Sequence, residues 1–223
     1  MQPANDPHTN YRALVQRSYD QIAESYEQKR HHAVYPELGW LTARLPAGAT
    51  VLDVGCGSGI PIARELAAQY HVTGVDLSAE HIRRAQQNVP NGTFLHSDIM
   101  ALTLPAASFD AVVAFYSIFH LPREEHFTLF ERIATWLKPN GYLLATVANS
   151  AKEAYTEDDF FGATMYWSNY GLAEYRTILQ RVGFQLLTTT IIGTGCADDP
   201  NTATEQHPLV FAQRQRTTKS EKW

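Results

Sequence analysis

Three aspartates and one glycine-rich loop are the residues of this chain whose types and spacing could bind a nucleoside. The loop, GCGSG at 55–59, follows a short apolar run at 51–54 that includes Asp53. Glycines allow a tight turn and close approach by a ligand. Asp76 lies 23 positions after Asp53, where it could accept both hydroxyl protons of a ribose, and Asp98 could accept from an adenine amino group. Each acid alone is commonly a loop carboxylate or a helix cap, but together they predict a nucleoside pocket.

The spacing of the loop discriminates between nucleotide classes. A dinucleotide fingerprint would read G-x-G-x-x-G, whereas this loop reads G-x-G-x-G, and no G-K-[ST] follows to make a phosphate-binding Walker loop. Asp53 lies two positions before the first glycine, where its charge would repel a pyrophosphate. The same charge would favour a cationic ligand, and S-adenosylmethionine carries both an ammonium and a sulfonium. The loop therefore favours S-adenosylmethionine.

The elements that must position these residues alternate along the chain. Short apolar runs separated by helical patterns predict parallel strands joined by crossover helices. Ser78 is the expected N-cap of one of these helices, and Gly183 ends another. The predicted helices are 11–29, 60–68, 79–88, 127–137 and 172–182. The predicted strands are 51–54, 72–75, 94–95, 111–115, 142–147, 184–192 and 209–212.

Two segments do not follow this alternation. Residues 150–169 are acidic and then aromatic, and residues 193–207 are polar, so both are expected to be long loops. We expect a single domain over 1–214, with an N-terminal helical cover at 11–40 and a lid insert at 150–170. Residues 215–223 are expected to form a flexible tail.

Five sequence segments together resemble the motifs of class I S-adenosylmethionine-dependent methyltransferases of the small-molecule type. They are VLDVGCGSG, GVDLS, SDIM, FDAVVAFYSIFHL and LKPNGYLLATV, and they span residues 50–147. The resemblance implies an α/β, Rossmann-like fold with a seven-stranded, mostly parallel sheet and helices on both faces. Its reversed final strand would be supplied by 209–212. The segment YDQIAESYEQKR is similar to N-terminal helices that cover the cofactor in such enzymes.

The resemblance also implies a set of cofactor contacts. The amino-acid end would lie against Asp53 and the loop, the ribose would bind Asp76, and the adenine amino group would bind Asp98. Leu77 and Ile99 would sandwich the adenine. The full implied set is Asp53, Gly55, Cys56, Gly57, Asp76, Leu77, Asp98, Ile99, Phe115 and Tyr116, with the last two near the methionyl part. Tyr26 would close the pocket over the sulfonium.

His120 is the candidate for a catalytic base. Methyl transfer is an in-line displacement that chiefly needs alignment, but a hydroxyl acceptor would gain from a general base near neutral pKa. His120 follows the fourth predicted strand and should therefore face the ligand edge of the sheet. Alternatively, it caps the helix that starts near Arg123 or packs against the cofactor. His31 and His32 are second candidates that could instead be exposed in a loop.

The substrate class is predicted mainly from missing motifs. Methylases of base nitrogens carry [DN]-P-P-[YF] after the fourth strand, where this chain reads AFYSI, and Glu124-Glu125 lie too far along to resemble a protein-arginine enzyme. A small-molecule acceptor remains. Met165, Tyr166 and Trp167 in the predicted lid are the candidate substrate contacts, because their side chains offer apolar area and, for Tyr166 and Trp167, cation–π faces. They could equally only pack the lid onto the sheet.

Composition and charge limit the partners and the compartment. The chain has 223 residues, 44% of them hydrophobic, only two cysteines, and a net charge of −5, which predicts a globular protein without a disulfide scaffold and without affinity for nucleic acid. No metal motif is present, and Glu157, Asp158 and Asp159 resemble a solvated loop more than a magnesium site. The first residues do not resemble a signal peptide, and no apolar run approaches the ~20 residues of a membrane span. We therefore expect a cytoplasmic monomer or homodimer.

Two other functions stay open on the sequence alone. A binding or regulatory module could keep the S-adenosylmethionine pocket without turnover. An NAD-dependent oxidoreductase would share the strand–loop–helix pattern, although its loop spacing differs.

Overall fold

The computed structural model describes residues 2–3, 10–30, 35–193 and 206–216. His31, His32, Cys196 and residues 217–223 of the predicted tail lie outside the described residues. The helices are α1 (Tyr11–Arg30), α2 (Gly39–Thr42), α3 (Ile62–Leu66), α4 (Ala79–Asn88), α5 (Arg123–Trp136) and α6 (Leu172–Val182). The strands are β1 (Gln2–Pro3), β2 (Thr50–Val54), β3 (His71–Asp76), β4 (Thr93–His96), β5 (Phe109–Ala114), β6 (Leu137–Thr146), β7 (Lys152–Phe160), β8 (Ala163–Asn169), β9 (Phe184–Gly193) and β10 (Gln206–Arg214).

Seven of these strands form one mostly parallel sheet. Their order is β4-β3-β2-β5-β6-β10-β9, and β10 runs antiparallel to both of its neighbours. The predicted seven-stranded sheet with a reversed final strand is therefore confirmed. The chain builds outward from β2 to β4 and then returns to β5 on the other side of β2. Ligands of such sheets bind at this reversal, beyond the carboxyl ends of the strands.

Helices cover both faces of this sheet because neighbouring residues of each central strand are buried on opposite sides. Val51 and Val113 belong to the core under α3 and α4, whereas Leu52 and Val112 belong to the core under α5 and α6. All four side chains are 0% exposed. Strands buried on both faces read as continuous apolar runs, which is why the sequence pattern located them.

Two helix ends form as the sequence predicts. Ser78 caps α4, since its hydroxyl oxygen accepts from the His81 N–H at 3.1 Å. Gly183 ends α6 with φ of 98°, in the left-handed region that glycine adopts without strain. These ends fix where α4 and β9 start, and α4 in turn carries residues of the site described below.

The predicted loop at 150–169 is wrong, because β7 and β8 form an antiparallel hairpin that pairs with β1 through β7. Phe161 and Gly162 connect the strands with φ of 54° and 86°, the backbone of a type I′ turn. This turn usually contains Asn-Gly or Asp-Gly, so Phe-Gly gave no hairpin signal. The predicted loop at 193–207 also extends too far, because β10 already begins at Gln206.

The hairpin and α1 pack against each other above the sheet. Val15, Tyr19 and Ile22 of α1 form a buried cluster with Met165 and Tyr166 of β8. These two elements together cover the ends of the central strands. No helix within the described ranges combines the length and apolar character that a bilayer span requires.

Candidate functional site

A cavity of about 1100 Å³, counting the space open to solvent at its mouth, lies at the carboxyl ends of β2 to β5. Its floor contains the glycine loop and its roof contains α1. Its lining includes all ten predicted cofactor contacts, namely Asp53, Gly55, Cys56, Gly57, Asp76, Leu77, Asp98, Ile99, Phe115 and Tyr116. Tyr26 and His120 also line it, so the structure brings these predicted residues together.

The glycine loop is held against the end of β3. The N–H groups of Gly55 and Cys56 donate to the Val75 carbonyl at 2.8 and 3.1 Å. Gly55 has φ of 72°, and a Cβ added there would lie 2.2 Å from the Cβ of Ser117. No other residue type fits this position without displacing the chain after β5. The loop therefore leaves backbone, rather than side chains, facing this part of the cavity.

Asp76 is tied to the loop and to the start of α4. Its Oδ2 accepts from the Gly57 N–H at 2.8 Å, and its Oδ1 accepts from the Ser78 N–H at 2.9 Å. Burial alone would raise the pKa of Asp76, but nearby His81 and the two N–H donors overcome that effect and leave the pKa lowered. Asp76 is thus a charged carboxylate with oxygen lone pairs left for hydroxyl donors.

Asp53 has the opposite electrostatic state. It is 1% exposed, and its Oδ2 has no hydrogen-bond partner among the described residues. Burial and then repulsion by Asp76 raise the pKa of Asp53 to about 8. A buried, unpartnered carboxyl group on a cavity wall is costly unless a ligand supplies the missing donor. An ammonium group would supply both the donor and the compensating charge.

Asp98 joins the floor of the cavity to its roof. Its Oδ1 accepts from the Met100 N–H at 2.8 Å, and its Oδ2 accepts from Nε of Arg12 at 2.5 Å. The Arg12 guanidinium also donates to the carboxylate of Glu125 at the start of α5. Arg12 lies on α1, so this pair of contacts fastens α1 across the mouth. Sequence reasoning missed Arg12, because nothing in its local pattern indicates contacts 86 and 113 positions away.

His120 forms a hydrogen-bonded pair with Tyr19. The Tyr19 hydroxyl lies 2.7 Å from Nε2 of His120, and Nδ1 lies 3.0 Å from the Tyr166 carbonyl oxygen. Burial lowers the pKa of His120 to about 4, so the ring is neutral at pH 7. A carbonyl only accepts, so the single ring proton is on Nδ1, and Nε2 accepts from Tyr19. The helix-capping alternative for His120 is wrong, because α5 follows Pro122 with no side-chain cap.

The comparisons with known proteins agree with this geometry. The family profile described as a methyltransferase domain matches residues 51–141, which hold the loop and the three aspartates. An uncharacterised methyltransferase of Mycobacterium tuberculosis is 42% identical over 106 residues, which are 46% of this chain and 53% of that protein. Residues 51–141 of the chain therefore match a methyltransferase domain, and the fold as a whole is similar to that of a solved S-adenosylmethionine-dependent methyltransferase from Methanosarcina mazei, with a TM-score of 0.70.

Two further similar proteins show how far the likeness extends. The ubiquinone biosynthesis O-methyltransferase of Xanthomonas axonopodis is 32% identical over 152 residues, covering 65% of this chain and 62% of that protein. The chain thus spans only about half to two thirds of these curated relatives. The structure of 1,6-didemethyltoxoflavin-N1-methyltransferase from Burkholderia thailandensis, with S-adenosylhomocysteine bound, has a TM-score of 0.71 at 20% identity. The match covers 96% of this chain and 94% of the Burkholderia chain. At this identity it shows that the two folds are alike.

S-adenosylmethionine is the cofactor of this methyltransferase family, and the donor set of the cavity fits it. Asp53 lacks a donor partner where an ammonium would supply one, and Asp76 is charged with lone pairs available for hydroxyls. Burial raises the pKa of the Cys56 thiol well above its usual range, so that side chain is a neutral, apolar part of the wall.

Tyr26 and Tyr19 lie on one face of α1. Their ring centroids are 5.6 Å apart in an edge-to-face arrangement, and both residues line the cavity. Tyr19 was not predicted as a site residue. Its signal was available, since Val15, Tyr19, Ile22 and Tyr26 recur at helical spacing and so share one face.

The three predicted substrate contacts on the hairpin do not line this cavity. Met165 and Tyr166 are buried, and the Tyr166 ring stacks on Tyr11 at 4.1 Å. Trp167 lies behind His120, with its ring centroid 4.5 Å from that of the imidazole. Their role toward a substrate stays a prediction, and their ring contacts include Tyr11 of α1 for Tyr166, and Phe119, His120 and Phe160 for Trp167.

The described residues contain no group of three His, Cys, Asp or Glu side chains placed to hold a metal ion. Glu157, Asp158 and Asp159 are exposed on β7, whereas Asp53 and Asp76 of the cavity are buried.

Proposed function

We propose that this protein transfers a methyl group from S-adenosylmethionine to a small-molecule acceptor. One observation carries the proposal. Carboxyls from the ends of β2 and β3 and from the loop after β4 line one cavity, and Asp53 among them is buried without a donor partner. This arrangement is complementary to a ligand that has an ammonium at one end and a ribose and an adenine at the other.

The proposed contacts follow the cavity wall from β2 to β4. Asp53 and the backbone of the glycine loop would hold the amino-acid end, and Asp76 would accept from the ribose hydroxyls. Leu77 and Ile99 would flank the adenine, whose amino group would compete with Arg12 for Asp98. Phe115 and Tyr116 would lie along the methionyl part, because they follow β5 beside the loop.

The bound cofactor would supply an electrophilic methyl carbon. The chain itself would chiefly position the acceptor and exclude water, tasks that can contribute about 7–11 kcal/mol to a well-oriented reaction. The cover formed by α1 is suited to both tasks, since Tyr19 and Tyr26 close the cavity from above. His120 would take up the proton of an acceptor that has one to lose.

A small acceptor is favoured by the shape of the site. The cavity lies beneath α1 and the hairpin, and both of these elements restrict what reaches His120. Two of the similar proteins have names that point to small molecules, one to ubiquinone biosynthesis and the other to 1,6-didemethyltoxoflavin. We further propose that the protein is a monomer or a homodimer, that it has no nucleic-acid partner and that it is located in the cytoplasm.

The proposal is tested in two steps on the full chain. Calorimetric titration with S-adenosylhomocysteine and with NADH should give saturable heat for the first ligand only. Incubation with methyl-labelled S-adenosylmethionine and a panel of small hydroxyl, thiol and amine compounds should then transfer label. Binding without transfer to any compound would favour a non-catalytic binding module, and binding of NADH alone would favour an oxidoreductase.

The cofactor contacts are tested by one variant with a matched control. Asp76→Ala should abolish detectable binding of S-adenosylhomocysteine, because it removes the acceptor for the ribose and the anchor of Gly57. Asp159→Ala removes an exposed carboxylate on β7 and should leave the affinity unchanged. Equal affinities of the two variants would contradict the proposed binding mode.

A further inference from the structure

The Tyr19–His120 pair supplies a feature that a simple cofactor pocket does not need. Both side chains line the cavity, and their polar ends meet there at 2.7 Å. The Tyr166 carbonyl holds the proton on Nδ1, so the lone pair of Nε2 points toward the Tyr19 hydroxyl. The neutral ring is therefore fixed as a proton acceptor rather than as a donor.

We propose that Tyr19 and His120 together form a proton relay for a hydroxyl acceptor, with Tyr19 as a second catalytic residue and the Tyr166 backbone as a positioning group. This inference rests on the proposed methyl transfer. It assigns a task to Tyr19 and narrows the acceptor from any oxygen, nitrogen or sulfur nucleophile to a hydroxyl compound.

The choice of a hydroxyl follows from what each acceptor needs. A thiol ionises readily near neutral pH, and a free amine can attack with its own lone pair, so neither depends on a base. A hydroxyl loses its proton only at much higher pH and gains from an aligned acceptor for that proton. Phe115 and Tyr116 also line the cavity, and their aromatic rings favour an aromatic hydroxyl compound.

The proposed step balances in atoms and charge. The acceptor oxygen forms a bond to the methyl carbon while the carbon–sulfur bond breaks and leaves its electron pair on sulfur. The acceptor proton passes to the Tyr19 oxygen, and the Tyr19 proton passes to Nε2 of His120. One positive charge disappears at sulfur and one appears on the imidazole, so the net charge of the cavity is unchanged.

The surroundings of His120 are compatible with this transient charge. The carboxylate of Asp76 favours the protonated ring, whereas His81 on α4 disfavours it, and burial opposes it most strongly. The Trp167 ring, 4.5 Å away, offers a π face to a cationic imidazole. The ring is thus neutral at rest and has partners for its charged form.

The first test needs no acceptor. Nitrogen-15 spectra of the imidazoles, recorded on the full chain saturated with S-adenosylhomocysteine, should show His120 protonated on Nδ1 and unprotonated on Nε2. Tyr19→Phe should move the Nε2 resonance toward that of a free imine nitrogen, without a large change in S-adenosylhomocysteine affinity. Tyr175→Phe, a control outside the cavity, should change only the signals of His126, which its hydroxyl contacts. A His120 protonated on Nε2, or one indifferent to Tyr19→Phe, would overturn the relay.

The second test compares phenol, thiophenol and aniline as probes with methyl-labelled cofactor. Phenol should be methylated, and its turnover should fall by about 100-fold or more in His120→Ala and about tenfold in Tyr19→Phe. Thiophenol turnover should change by less than threefold in the same variants, at a pH where the thiol is ionised. Equal losses for phenol and thiophenol, label on aniline or thiophenol but not on phenol, or label on none of the probes would each overturn the hydroxyl assignment. If S-adenosylhomocysteine also fails to bind, the proposed function fails with it.

Discussion

The pairs His120–Tyr19 and His126–Tyr175 have the same chemistry in two different regions of the molecule. In each pair one imidazole nitrogen meets a backbone carbonyl and the other meets a tyrosine hydroxyl, at 3.0 and 2.7 Å in the first and 3.1 and 3.0 Å in the second. Burial lowers the pKa of both histidines to about 4. His120 lines the cavity, whereas His126 is 0% exposed in the core between α5 and α6.

The difference between the pairs shows that hydrogen-bond pattern alone does not identify a catalytic group. The Leu121 carbonyl fixes the proton of His126 on Nε2, and the remaining lone pair on Nδ1 is satisfied by Tyr175 inside the core. The Tyr166 carbonyl fixes the opposite tautomer in His120, whose lone pair meets a hydroxyl that a ligand can reach. The His120–Tyr19 pair is therefore expected to serve turnover, and the His126–Tyr175 pair is expected to serve stability.

Alanine substitution of the two histidines should separate these roles most strongly. His120→Ala should lower kcat for a hydroxyl acceptor by about 10²–10⁴-fold, the range that one general base contributes. His126→Ala should leave kcat of the folded protein within twofold but lower the free energy of unfolding by roughly 2–4 kcal/mol, because it leaves buried polar groups unpartnered. Steady-state kinetics and urea unfolding measure the two effects. Similar losses of kcat in both variants would remove the distinction.

The dependence of stability on pH should be shared by both pairs. An unfolded histidine has a pKa of about 6.5, whereas both folded rings have a pKa of about 4. The unfolded state therefore binds more protons between these values, so each ring stabilises the fold above pH ~6.5 and loses that contribution as pH falls toward 4. Over this window the loss for the fully buried His126 is on the order of 3 kcal/mol.

Urea unfolding at several pH values between 4.5 and 6.5 measures this dependence. The free energy of unfolding of the wild type should exceed that of His126→Ala and that of His120→Ala by an amount that decreases as pH falls. A difference that does not vary with pH would mean that the ring in question has the same pKa in the folded protein as in the unfolded chain.

Removing only the tyrosine hydroxyls should give a smaller contrast. Tyr19→Phe should lower kcat about tenfold with little change in stability, whereas Tyr175→Phe should lower stability by about 1–3 kcal/mol with unchanged kcat. Steady-state kinetics and urea unfolding measure these two effects. A stability loss in Tyr19→Phe as large as that in Tyr175→Phe, without a loss of kcat, would assign Tyr19 to packing.

The smallest expected effect is a release of protons from Asp53 when a ligand binds in the cavity. Because burial and Asp76 raise the pKa of Asp53 to about 8, this group is protonated at pH 7 in the free protein. An ammonium bound beside it would favour the charged carboxylate, so binding of S-adenosylhomocysteine should release up to about one proton. Calorimetry in buffers of different ionisation enthalpy measures the release. Asp53→Asn should abolish it, and an unchanged release in that variant would assign the proton elsewhere.

The features that the sequence predicted are those in which local pattern and tertiary structure agree. The buried strands, the cap of α4 by Ser78 and the positions of the three aspartates all depend on short-range signals. The topology rules for parallel sheets then bring the aspartates to one edge.

The features that the sequence did not predict depend on contacts between distant segments. Arg12 and Tyr19 acquire their partners only when α1 folds over the cavity. The hairpin β7–β8 was missed because Phe161-Gly162 is an unusual type I′ turn. The tautomer of His120 depends on a backbone carbonyl of Tyr166, which leaves no trace in residue types.

Calorimetric titration of the full chain with S-adenosylhomocysteine, for wild type and for Asp76→Ala, tests most directly whether the cavity beyond β2 to β4 is a cofactor site. Saturable binding of one molecule per chain in wild type and none in Asp76→Ala is the predicted result. No saturable heat in wild type, or equal affinity in the variant, would contradict it.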